Sequence, residues 1–189
     1  MWVKIIVASI PAGVVGILWD DVFTKYFYNY QTVAIMLILV GVVFIIIERS
    51  NKNKIAKIDS IDDISYGQAF LIGVFQMIAA IFPGTSRSGS TIVGSLMLGI
   101  SRTAAAEFTF FLAVPAMFGG SAIKILKYSG GLNSAEVALL AIGMIVAFVL
   151  SIIAIKFLMS YIKKHDFKVF GWYRIILGIA VIGYFLAAR

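Results

Sequence analysis

Five apolar runs, each near the length of a bilayer crossing, dominate this chain and leave few folds open to it. They extend from about Trp2 to Trp19, Thr32 to Ile47, Ala105 to Ile125, Glu136 to Leu158 and Phe170 to Ala188. A helix needs about 20 mainly apolar residues to span the hydrocarbon core. The second run is short for that task and the others suffice. Of the 189 residues, 61% are hydrophobic and 13% charged, whereas soluble domains are about 25% charged. That leaves too little polar surface to cover a globule in water. The expected fold is all-α, a polytopic membrane helix bundle forming one membrane domain over residues 1–189. There is no cysteine, which excludes disulfides. The net charge of +7 lies in short loops between apolar runs, a placement that follows membrane topology and makes no footprint for nucleic acid. Lys4 followed by apolar residues has the outline of a leader, but no small-residue cleavage site follows and Pro11-Ala12-Gly13 falls mid-run. A retained helix is expected there.

Residues 67–100 break the pattern. Gly67 to Phe82 is apolar but brief, residues 82–91 read F-P-G-T-S-R-S-G-S-T, and Ile92 to Ile100 is briefer still. Neither half spans alone, and the 34 residues together are too many for one straight crossing. Charge decides the topology. Loop 49–66 carries Arg49, Lys52, Lys54 and Lys57, and loop 159–169 carries Lys163, Lys164 and Lys168. Basic loops stay on the cytoplasmic side, where acidic neighbours such as Asp59, Asp62 and Asp63 weigh little. A single crossing by region 67–100 would put these two loops on opposite sides. A re-entrant hairpin puts them on the same side, with loops 20–31 and 128–135 facing outward. The sequence therefore predicts a re-entrant helix hairpin over about 67–100.

The tip of such a hairpin carries unusual chemistry. Non-helical backbone at membrane depth is tolerated only inside protein or along a wet cavity. An arginine there costs about 2.5–3.5 kcal/mol on insertion scales, and the nearest acids to Arg87 in sequence, Asp63 and Glu107, are distant. A bound anion resolves that cost. Pro83 and Gly84 stop the incoming helix, and Gly84 and Gly89 let backbone approach a ligand. A returning helix starting near Ser88 or Ser90 would aim free N–H groups into the loop. Arg87 supplies a forked, permanent cation suited to phosphate oxygens. Thr85, Ser86, Ser88, Ser90 and Thr91 supply hydroxyls. The competing reading is that the serines and glycines only cap and break helices while Arg87 snorkels to an interface.

The stretch Pro83 to Thr91 resembles the second signature of the undecaprenyl-diphosphatases, the bacitracin-resistance membrane phosphatases. Ser65-Tyr66-Gly67-Gln68-Ala69-Phe70, Gln76, Gly99-Ile100-Ser101-Arg102, Glu107-Phe108 and Leu112-Ala113-Val114-Pro115 fit the same pattern in order, as do Ile10-Pro11-Ala12-Gly13 and Gly16. The resemblance covers essentially the whole chain. It implies hydrolysis of a C55 polyprenyl diphosphate to the monophosphate and inorganic phosphate, recycling a cell-wall lipid carrier and conferring bacitracin resistance. It implies two re-entrant hairpins in an inverted repeat, meeting at a site that opens outward from a bacterial plasma membrane. Carried onto matching positions, it implies Arg87 and Ser86 as catalytic residues and Gly84, Thr85, Ser88, Gly89, Thr91 and Gln76 as binding residues. It also implies a divalent cation, Mg2+ or Ca2+.

One departure stands out. The family's earlier signature, E-x-x-x-E followed by P-x-S-S-x-G-H, has no match here. The metal ligands it would supply are therefore missing, and the only histidine, His165, sits in a basic loop as a solvated residue. The chain is expected to correspond to the C-terminal two-thirds of the family enzyme, to bind the diphosphate, and to release little phosphate by itself. A transporter or flippase for a phosphorylated polyprenyl lipid is the rival reading, because broken helices at the midplane also serve transport. A homodimer is left open. Among other residues, Glu107 is expected to pair with Arg102, Arg174 to anchor the last helix at an interface, and Asp20-Asp21 to end the first helix. Trp172, Tyr173 and Tyr184 are expected at interfaces, and Gly94, Ser95 and Gly99 at close helix contacts.

Overall fold

The computed structural model describes residues 1–52, 54–128, 130 and 133–187, and all of their side chains except those of Asp20 and Lys127. Within them lie seven α-helices: α1 (Trp2–Phe27), α2 (Tyr30–Asn51), α3 (Tyr66–Ile81), α4 (Arg87–Met97), α5 (Arg102–Lys127), α6 (Ser134–Ile162) and α7 (Lys168–Ala187). Five of them, α1, α2, α5, α6 and α7, are long and apolar enough to cross a membrane. The second run, short in sequence, becomes a 22-residue helix because Tyr30, Gln31 and residues 48–51 extend it. Asp20-Asp21 does not end α1, which continues for six further residues to Phe27. Asn29 caps α2 by accepting from the Thr32 N–H, so loop 20–31 is mostly helix.

Region 67–100 folds as a hairpin of two short helices, α3 and α4, with the polar stretch at its tip. Ser65 and Gln68 form a reciprocal capping box that starts α3. After the tip, α4 brings the chain back to where α3 began: the Lys57 N–H donates to the Gly99 carbonyl at 2.8 Å, and the Ser101 N–H donates to the Ile58 carbonyl at 2.8 Å. Gly99 makes that return turn with φ +81°. Both ends of the hairpin therefore lie beside loop 49–66. Loop 159–169 lies there too, because the Phe167 N–H donates to Glu48 at the end of α2. The two basic loops share a face, as the charge distribution requires. Asp166 also belongs to that face. Burial pushes its carboxyl pKa up, but the side-chain and backbone hydrogen bonds from Lys168 hold it below the ordinary carboxylate value.

Two clusters of buried side chains flank the hairpin. Ile5, Ala8, Ala69, Ile72, Phe108 and Leu112 join α1, α3 and α5. Phe44, Ile92, Val93, Leu96, Ala106 and Ile162 join α2, α4, α5 and α6. Glycine sets the closest approaches. Gly41 and Gly171 face each other across α2 and α7, where an added Cβ on either would meet the partner's carbonyl oxygen at 2.7–2.8 Å. Gly171→Val is therefore expected to cost about 1–3 kcal/mol through overpacking, read as a lower unfolding midpoint in detergent. Gly183→Val, on the same helix but facing open space, should leave the midpoint unchanged. Gly94 packs under the Phe75 ring, as expected for a close contact. Ser95 is buried, and its hydroxyl donates to the Thr91 carbonyl at 2.7 Å.

α6 is different. Between Ser134 and Phe157 every residue except Glu136 and Ala141 is exposed, and the helix meets the bundle only through its last turns, Leu158 to Ile162. Apart from Glu136 and Lys156 near its ends and its serines, it is apolar on all sides, as a helix surrounded by lipid is.

Candidate active site

The hairpin tip is built by a turn and two positions with positive φ. α3 stops at Ile81, and the Thr85 N–H closes a turn onto the Phe82 carbonyl at 3.3 Å. Gly84 has φ +90° and lies against the backbone of Val33, where an added Cβ would collide with both the Val33 oxygen and its Cα. Ser86 follows with φ +66°, the one non-glycine residue with positive φ among those described. Such a conformation costs on the order of 1–3 kcal/mol and persists only where the surroundings impose it. Two contacts do so. The Ser86 hydroxyl caps α4 by accepting the Gly89 N–H at 3.2 Å. From α7, Arg174 donates through Nη2 to the carbonyls of Gly84 and Thr85, at 2.5 and 2.9 Å.

Arg174 therefore does not anchor the last helix at an interface. It is a half-buried brace for the tip, and the cost argument that flagged Arg87 applies to it equally. Two buried side-chain polar atoms lack a partner among the described residues, Thr85 Oγ1 and Arg174 Nε, and both belong to this assembly. Arg174→Gln is expected to release the two carbonyls. Charge-assisted hydrogen bonds are worth about 1.5–3 kcal/mol each, so amide-exchange protection over residues 84–89 should fall by at least about tenfold. Unchanged protection there would remove the bracing role.

The tip divides its functional groups between two cavities. Arg87, the first residue of α4, is exposed into a cavity of about 680 Å³ between α1, α3 and α5. Gln76, only 5% exposed, lines the same cavity with Ser9 and Asp21. Its far wall is made of small residues, including Gly13, Gly16, Gly119 and Gly120, none of which has a neighbour where a Cβ would stand. Arg87 makes no side-chain hydrogen bond or ion pair with any described residue. Ser86 and Ser88, their hydroxyls 3.3 Å apart, border a second cavity of about 210 Å³ with Gly89, Phe44, Phe170 and Arg174.

The remaining candidates are placed as follows. Thr85 is fully buried under the tip. The Thr91 hydroxyl donates within its own helix, toward the carbonyls of Arg87 and Ser88 (both 3.1 Å), and pairs with the Thr109 hydroxyl at 2.9 Å. It thereby ties α4 to α5 and borders neither cavity. Glu107 does not pair with Arg102. The guanidinium of Arg102 instead forks onto Glu48, through Nε at 3.0 Å and Nη2 at 2.5 Å. Glu48 and Thr109 were not singled out by sequence reasoning. Glu48 sits next to a basic loop and reads as solvated, although its side chain is 0% exposed.

No three His, Cys, Asp or Glu side chains converge among the described residues. The cavity that holds Arg87 has one carboxylate, Asp21, on its wall. A divalent cation normally takes several oxygen ligands, so these residues do not fit one. What the arrangement offers is an unpaired guanidinium, a buried amide and two close hydroxyls around a strained turn, a set of donors for an anion carrying several oxygens.

Comparison with known proteins places the chain in a family. The family model described as "Bacitracin resistance protein BacA" matches residues 1–180. An undecaprenyl-diphosphatase of Desulfitobacterium hafniense is 64% identical over 187 residues, 99% of this chain and 67% of the relative. Undecaprenyl-diphosphatase 1 of Clostridium acetobutylicum is 61% identical over 186 residues, 98% of this chain and 68% of the relative. An undecaprenyl-diphosphatase of Enterococcus faecalis is 58% identical over 182 residues, 96% of this chain and 66% of the relative. The chain thus spans about two thirds of the length of these relatives and belongs to the bacitracin resistance protein BacA family.

Proposed function

We propose that the chain carries the diphosphate-binding part of an undecaprenyl-diphosphatase: a multi-pass protein of the bacterial plasma membrane, its tip site facing away from the basic loops. The reaction is hydrolysis of undecaprenyl diphosphate. Water oxygen bonds to the terminal phosphorus, the bridging P–O bond breaks, and undecaprenyl phosphate and inorganic phosphate leave. The observation that carries the reading is Arg87, an unpaired guanidinium at the tip of a membrane-embedded hairpin, facing a cavity large enough for a diphosphate. Its role is to stabilise charge that builds on the phosphoryl oxygens in a loose transition state. Gln76 supplies a second donor from α3. Ser86 and Ser88 border the neighbouring cavity, and reach the same anion only by rotating about the tip.

The test has two readouts. Purified chain in detergent is titrated with a short-chain polyprenyl diphosphate for binding, and assayed with undecaprenyl diphosphate for phosphate release. Binding that saturates and depends on Arg87 is expected. Release is expected to be slow for the chain by itself and to rise when the segment of the Desulfitobacterium hafniense relative that the chain does not cover is supplied in trans. Transbilayer movement of the lipid with no release under either condition would overturn the hydrolytic reading in favour of transport. Binding unaffected by loss of Arg87 would overturn the site.

A further inference from the structure

The open end of the hairpin, remote from the tip, is closed by a strap of chain that borders an open cavity of its own. Residues 57–58 are hydrogen bonded to Gly99 and Ser101. Asn51 Nδ2 donates to the Leu96 carbonyl at 3.2 Å, pinning the end of α2 against the same turn. Between these fixed points lies a cavity of about 350 Å³. Its polar wall carries Asn51, Lys54, Lys57 and Arg102, and its apolar wall carries Ile55 and Met97. The tip lies at the other end of α4, about 16 Å away for an 11-residue helix.

Two of the cations of this cavity have no ion-pair partner among the described residues. Arg102 is engaged by Glu48, whereas neither Lys54 nor Lys57 has a carboxylate partner among the described residues. Of the acids that follow the strap, Asp62 turns elsewhere: its carboxylate faces the Met1 ammonium, and its carbonyl takes Lys4. Lys57 lies along Gly99, with its Cδ 3.5 Å from where a Cβ would stand, so its ammonium is carried to the rim by a packed stem. Lys54 reaches the Ser50 hydroxyl at 3.2 Å, on the last turn of α2. Beside these cations, Ile55 is 94% exposed and Met97 is 56% exposed. An isoleucine that bare, between two lysines at the basic end of a membrane hairpin, suits the boundary between headgroups and acyl chains.

We propose that this cavity binds the phosphate headgroup of an anionic membrane phospholipid. Lys54 and Lys57 pair with the phosphate, the Asn51 amide borders it, and Ile55 and Met97 lie against the first methylenes of the acyl chains. The site is independent of the diphosphate site and uses none of its residues. A lipid seated here clamps the strap onto the α4–α5 turn and so holds the base of the hairpin.

The test is native mass spectrometry of the full 189-residue chain released from nanodiscs containing equal amounts of phosphatidylglycerol and phosphatidylcholine. Retention of phosphatidylglycerol in preference to phosphatidylcholine is expected. A basic residue near a membrane surface contributes about one kcal/mol, so Lys54→Gln/Lys57→Gln should reduce the preference roughly thirtyfold. Lys163→Gln/Lys164→Gln removes the same charge from the other basic loop and should leave the preference intact. Ile55→Ser should weaken phosphatidylglycerol retention at unchanged net charge. All variants are compared at equal helical content by circular dichroism. Equal retention of the two lipids, equal loss in both double variants, or displacement of the lipid by millimolar inorganic phosphate would each overturn the proposal. The last outcome would make the cavity a free-anion site.

Discussion

Arg102→Ala is expected to destabilise the bundle by about 3–5 kcal/mol, the range for stripping a buried charge of its partner. The reason lies in which charge is left behind. The Glu48 side chain is 0% exposed and that of Arg102 is 36% exposed. Removing Arg102 strands a carboxylate with only the Phe167 N–H to satisfy it. Removing Glu48 strands a guanidinium that water already reaches, together with one backbone donor. Glu48→Ala should therefore cost less, about 1–3 kcal/mol, the range for an unsatisfied buried group. Unfolding in detergent, followed by circular dichroism against increasing dodecyl sulfate, measures both. Equal losses, or a larger loss for Glu48→Ala, would show that the pair does not govern this end of the fold. The double variant Glu48→Gln/Arg102→Met should recover much of the loss, because exchanging a whole buried pair for neutral groups is often near neutral.

Arg87→Ala should lower phosphate release, measured in the complemented assay, by roughly 10²–10³-fold, the effect of deleting one preorganised donor to transition-state charge. Polyprenyl diphosphate binding should weaken with it. Arg87→Lys discriminates between charge and shape. A lysine keeps the cation but loses the rigid fork that matches two phosphoryl oxygens, so binding should recover more than turnover does. Full recovery of turnover by lysine would reduce Arg87 to a point charge. Stability should hardly change in either variant, because the side chain is exposed and bonded to no described residue. A large fall in the unfolding midpoint would instead make Arg87 structural.

Much of this architecture was legible because lipid permits so few backbone arrangements. Two short apolar halves around a polar tip, with basic loops to either side, admit one topology, and the hydrogen bonds between residues 57–58 and Gly99–Ser101 realise it. The tip was legible for the same reason: Gly84 takes the positive φ that its close approach to Val33 demands. What stayed hidden depends on pairs far apart in the chain. Arg174 meets Gly84 across 90 positions, Glu48 meets Arg102 across 54, and Phe167 meets Glu48 across 119. Local pattern assigns an arginine near a helix end to the interface and a glutamate beside a basic loop to solvent. The packing of α7 against α2, allowed by Gly41 and Gly171, brings Phe167 to Glu48 and Arg174 to the tip, and the turn from α4 into α5 brings Arg102 to Glu48. The division of Arg87 and the two serines between separate cavities was equally out of reach, because it depends on the twist of three residues at the tip.

The attachment of α6 has a mechanical consequence. Packed at one end over Leu158–Ile162 and joined to α5 at the other only by the connecting chain, the exposed part of α6 from Ser134 to Phe157 is a lever about 36 Å long at about 1.5 Å per residue. A tilt of about 5° at its root carries the far end through about 3 Å, while the root residues hardly move. Leu158 and Ile162 are also wall residues of the small cavity beside Ser86 and Ser88. A change of tilt along α6 therefore reaches that cavity only through the short packed root. The segment that swings furthest transmits the least displacement to the serines.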